Sequence, residues 1–91
     1  MHFGKQDLEG THYSWTPDSK DLFTGPPSRR IFDRQNGNQV LFLINSYGLL
    51  LEEFTIQKGR NIEKKIQHDL PESAKSELSV FNWLRHILFS A

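Results

Sequence analysis

The sequence predicts a mainly α fold, a small single-domain helical bundle behind an extended, largely irregular N-terminal arm. Three observations predict it. In "QVLFLINSYGLLLEEF", positions 40, 43, 44, 47, 50, 51 and 54 are Val, Leu, Ile, Tyr, Leu, Leu and Phe, an unbroken apolar stripe at helical spacing. In "AKSELSVFNWLRHILF", Val80, Phe81, Leu84, Ile87 and Leu88 repeat the pattern of a buried helix face. Between them Ile62, Ile66 and Leu70 recur four residues apart.

Ninety-one residues are enough for one core and no more. The chain divides into an arm over 1–27 and a helical core over 28–91. The arm mixes Gly4, Gly10, Gly25, Pro17, Pro26 and Pro27 with large apolar side chains at Phe3, Leu8, Tyr13, Trp15, Leu22 and Phe23. A disordered tail carries fewer aromatics, so the arm is expected to lay some of them onto the helices. "THYSWT" has the composition of a short strand, but nothing beside it identifies a partner.

Each element of the core has its own start and stop signals. Pro26 and Pro27 set extended backbone, and Ser28 then suits the cap of a short helix near 29–34. "QNGN" breaks that element from a helix near 39–47, which Gly48 is expected to end in a left-handed conformation with Leu49 packing back on Ile44. Thr55 caps a helix near 56–69, weakened at Gly59 by up to about 1 kcal/mol relative to alanine. Pro71 stops it, and Ser73 caps the last helix, near 74–89. The competing architecture is α+β, an N-terminal hairpin or meander packed on two C-terminal helices. There "RRIFDR" would pair with "QVLFLI" around Asn36-Gly37, a favoured hairpin dipeptide, or "NSYG" would turn between two strands.

Composition narrows the function classes. Eleven Lys and Arg balance 11 Asp and Glu, which disfavours nucleic acid held by long-range attraction and leaves little repulsion between copies. There is no cysteine to staple a secreted domain. The first ten residues lack the order of a signal peptide, and "VLFLI" and "LLL" are far short of a membrane span. A soluble cytoplasmic protein is the expectation.

No constellation points to catalysis. No serine sits in a nucleophile elbow, and Asp7 or Glu9 with His12 is a bare coincidence of residue types, so the chain is expected not to be an enzyme. His2, His12, His68 and His86 show no metal-ligand spacing, and neither metal nor cofactor is expected. His68 and His86 fall near helix C-termini, where a protonated imidazole suits the dipole.

Two kinds of surface remain. Arg29 and Arg30 beside a Ser28-capped helix would attract an anion, and Lys58, Arg60, Lys64 and Lys65 form a broad basic face, so nucleic-acid or anion binding is the alternative function. The stronger expectation is a protein-interaction module that contacts another protein or itself. Its anchors are Leu78 and Trp83, which flank the buried face of the last helix and exceed what one contact surface requires.

Overall fold

The computed structural model describes residues 3–15 and 26–89, and Leu22, Phe23 and His2 lie outside them. The described chain is mainly helical, as the periodicity predicts. Helix α1 spans Gly37–Gly48, α2 Ile56–Lys64 and α3 Glu77–Phe89, with a 3-10 turn at Lys5–Asp7 and a π turn at Lys65–Asp69. Among the described residues two isolated bridges stand in place of strands, Ser14 with Asn36 and Ile31 with Ser76. Both hairpin readings fail because "QVLFLI" lies within α1.

Helix α1 starts where "QNGN" breaks the chain. The Asn36 side chain accepts the Gln39 N–H at 3.2 Å and caps the first turn. Val40, Leu43, Ile44 and Tyr47 then fall on one face and are buried. They meet Ile62 and Ile66 from α2 and its π turn, and Val80 and Leu84 from α3. Burial of this set is the main drive for folding, at about 1.5–3 kcal/mol per large side chain.

The end of α1 differs from expectation. Leu49 follows Gly48 in an ordinary right-handed conformation, and its N–H continues the ladder to the Asn45 carbonyl. Leu49 is 87% exposed and does not pack on Ile44. Gly48 answers a need for space instead: a Cβ there would fall against the Phe54 ring, which folds back over this position.

Helix α2 begins at the expected cap, Thr55 accepting the Lys58 N–H at 3.2 Å. The 56–69 segment is helical to its end, its last five residues widening into the π turn before Leu70 and Pro71.

The short helix expected near 29–34 does not form. Residues 28–32 instead form a strap beside the start of α3, bent at Arg29 and Arg30 and bridged from Ile31 to Ser76, which leaves carbonyls free for that helix's unpaired N–H groups. The Glu77 N–H donates to the Arg30 carbonyl and the Leu78 N–H to the Ser28 carbonyl, each at 2.9 Å. Ser76, not Ser73, supplies the side-chain cap, its Oγ accepting the Ser79 N–H at 3.1 Å. The first three N–H groups of α3 are thereby all satisfied, so α3 starts at Glu77 rather than near 74. Phe32 anchors the strap: its N–H donates to the Lys75 carbonyl at 2.8 Å and its ring is buried.

The N-terminal arm is ordered along the described stretch, as its aromatics imply. Phe3 is fully buried and Tyr13 nearly so. "THYSWT" finds its partner in the α1 cap, where the Ser14 N–H donates to the Gln35 carbonyl and the Gly37 N–H to the Ser14 carbonyl.

Candidate functional site

Two buried carboxylates organise the polar interior. Glu77 is 0% exposed and opens α3. Its Oε1 accepts from the Ser28 N–H at 3.1 Å, the Ser28 hydroxyl at 3.2 Å and Arg30 Nη2 at 3.1 Å. Its Oε2 accepts from Gln39 Nε2 at 2.9 Å. Burial alone would raise its pKa, but the bonds from Gln39, the Ser28 N–H and Arg30, with the Arg30 charge, hold it below the ordinary carboxylate range. Gln39 completes the hub by accepting the Asp33 N–H at 2.7 Å and donating to the Ile31 carbonyl at 2.9 Å.

The second carboxylate, Glu63, is 3% exposed on α2. Its two oxygens accept the Glu9 N–H at 2.9 Å, the Gly10 N–H at 3.1 Å and the Tyr13 hydroxyl. Burial first, then the Glu63 bond and charge, push the Tyr13 phenol well above its ordinary pKa, with the bond from Gln67 acting in the other direction. Tyr13 is therefore a hydrogen-bond donor throughout the neutral range. With three donors on two oxygens, Glu63 is committed to holding the arm.

The residues expected to bind anions are separated and mostly engaged within the fold. Arg30 turns inward to Glu77, and its guanidinium also lies over the Phe42 ring at 5.6 Å. Arg29 is exposed. Lys58 donates to the Glu53 carbonyl at 2.6 Å and Arg60 Nε to the Asp7 carbonyl at 2.9 Å. Lys64 lies 4.0 Å from Glu9 and Lys65 3.3 Å from Asp69. With no helix at 29–34, the helix terminus that would have seated an anion beside Arg29 and Arg30 is missing.

Among the histidines, His12 and His68 line one open cleft of about 390 Å³ with Glu9, Lys64 and Gln67. Among the described residues no group of three His, Cys, Asp or Glu side chains is arranged to hold a metal ion.

Leu78 and Trp83 do not form one patch. Five residues apart on α3, they project about 140° from one another around the helix axis. Trp83 is half-buried at one flank of the core, while Leu78 is 38% exposed on the outer face.

Among the described residues the densest exposed apolar feature lies elsewhere, in the loop joining α1 to α2. Phe54 folds back on Gly48, so residues 49–53 close into a knuckle. Leu49 is 87% exposed, Leu50 47% and Ile56, just beyond, 42%. Exposed Glu52 and Glu53 stand between them. The periodic reading missed this site by assigning Leu50 to a continuous buried stripe. The available signal was the helix stop at Gly48, after which helical spacing no longer says which face a side chain takes.

No helix among the described residues is long and apolar enough to cross a membrane. Neither the family models, nor the curated proteins, nor the solved structures compared with this chain include a match to it.

Proposed function

We propose that the protein is a non-enzymatic interaction module whose main contact surface is the α1–α2 knuckle. The observation that carries this reading is the concentration of exposed apolar side chains there. Three of the five large apolar residues left exposed among the described residues, Leu49, Leu50 and Ile56, come from one eight-residue segment. A large side chain at 87% exposure gains nothing within the fold, whereas clustered ones mark surfaces that another protein covers. Glu52 and Glu53 give that surface an acidic character and favour a partner that brings lysine or arginine around an apolar centre. Leu78 and Trp83, on different sides of α3, are separate secondary contacts.

Affinity capture with the intact chain as bait tests the reading, comparing the parent with Leu49→Ser/Leu50→Ser and with Trp83→Gln. A specific partner retained by the parent and lost by the knuckle variant, with unchanged thermal melting, is the expected result. Identical partner sets for the parent and the knuckle variant would remove the surface. If Trp83 contributes mainly to the core, Trp83→Gln instead costs up to about 3–5 kcal/mol of stability, the range for loss of a large aromatic, and the melting temperature falls.

A further inference from the structure

The N-terminal arm is held against α1 and α2 in the manner of a bound peptide. Three side chains on the two helices grip its backbone. Asn45 of α1 accepts the Phe3 N–H and donates to the Phe3 carbonyl, both at 2.8 Å, so one amide satisfies both backbone groups of one residue. From α2, Arg60 donates to the Asp7 carbonyl, and Glu63 accepts the N–H groups of Glu9 and Gly10.

Two side-chain anchors add specificity to this grip. The Phe3 ring fills a slot whose floor is Gly59, where a Cβ would collide with it, and whose wall is Phe54, 6.2 Å away between ring centroids. The Tyr13 hydroxyl closes the far end on Glu63. The gripped segment also carries its own local structure. The Asp7 N–H donates to the Gly4 carbonyl, and the Asp7 carboxylate accepts the Gly4 N–H, each at 2.9 Å. A ligand ordered in this way loses less entropy on binding.

We propose that the α1–α2 face is a peptide-recognition groove, and that a second copy's residues 3–13 occupy it in exchange for the groove's own arm. Backbone groups gripped by side chains make the same bonds whichever copy supplies the segment. Exchange therefore preserves each of these arm–helix bonds, with residues 16–27 forming the connection between copies. The connecting residues 16–27 reach at most about 40 Å when extended, and the longest dimension of the molecule is 37 Å. Pro26 and Pro27 favour the extended form of that connection. Zero net charge removes long-range repulsion between copies. A connection of this length gives the arm an effective concentration in its own groove on the order of millimolar, so exchange sets in as the chain approaches that concentration.

Isotope-filtered NMR on the full chain tests the exchange without any substitution. Labelled and unlabelled chains are mixed, unfolded, refolded together and observed from dilute solution up to about 1 mM, the range set by the tether. Cross-peaks between Phe3 ring protons of one isotopic kind and Gly59 protons of the other are expected, rising with concentration alongside a sedimenting dimer. Phe3–Gly59 cross-peaks confined to single copies at every concentration would overturn the proposal. The variant Leu49→Ser/Leu50→Ser separates this association from one through the knuckle. Arm exchange survives that change; a dimer that disappears with it while Phe3–Gly59 contacts remain within each copy refutes the exchange.

Discussion

Single residues in this chain often do a different job from the one their type suggests. Gly59 is the clearest case. By helix propensity a glycine inside α2 is a defect, and alanine there gains up to about 1 kcal/mol. The fold reverses that sign, because a Cβ at Gly59 would enter the space of the Phe3 ring, and Phe3 is fully buried with its backbone fixed by Asn45. Gly59→Ala is therefore expected to destabilise by about 1–3 kcal/mol, the usual range for overpacking a filled site. Denaturant unfolding of the variant measures it, and an alanine that stabilises the protein would show that the Phe3 ring yields easily. A second variant, Gly59→Ala with Phe3→Ala, should then regain part of the helix-propensity gain relative to Phe3→Ala alone. The sequence places Phe3 among the aromatics that reach the core. It does not pair Phe3 with Gly59, since no local pattern links residues so far apart in the chain.

At the scale of elements, most of the helical content was legible and most of the errors were at junctions. Helix α1, the helical run over 56–69 and the body of α3 follow from periodicity, from the break at "QNGN" and from the cap at Thr55. A helix near 29–34 is expected because Ser28 and the residues after it satisfy local rules equally well in that form. A long-range demand decides the matter: the N–H groups of Glu77 and Leu78 need acceptors, and the Arg30 and Ser28 carbonyls of the non-helical strap supply them. The same competition moved the α3 cap from Ser73 to Ser76. Paired alanine variants discriminate the two positions. Ser76→Ala should cost about 1 kcal/mol, the usual value of an N-cap side chain, and Ser73→Ala, exposed and outside the helix, should cost much less. Equal losses in thermal melting would mean that the helix starts earlier in solution. The candidate site was less legible than the helices. Leu78 and Trp83 were found from an excess of apolar residues on one helix, a signal that cannot distinguish core flank from outer face. The knuckle became visible only once Phe54 was seen folded onto Gly48.

Two carboxylate hubs join distant parts of the described chain. Glu63 ties the arm to α2, while Glu77 ties the strap and α1 to α3 through Ser28, Arg30 and Gln39. Because Glu77 is fully buried and its charge is matched by Arg30, stability should depend on its ionisation. Its pKa is lowered in the folded chain, so the unfolded chain takes up the proton first as the solution is acidified. The sign follows directly. The contribution of Glu77 is fully present above the ordinary carboxylate range and is lost as pH falls through its lower folded value. Glu77→Gln removes this titration and leaves Arg30 facing a neutral amide. At neutral pH the variant should lose on the order of 3 kcal/mol, as expected when one partner of a buried ion pair is removed. On acidification the parent should lose stability faster than the variant, so the gap between them narrows. Urea unfolding of both proteins across the acid range measures that gap directly. A gap that stays constant with pH would mean that the Glu77 carboxylate is not held in its charged form by these donors, and that the hub acts through shape and hydrogen bonding alone.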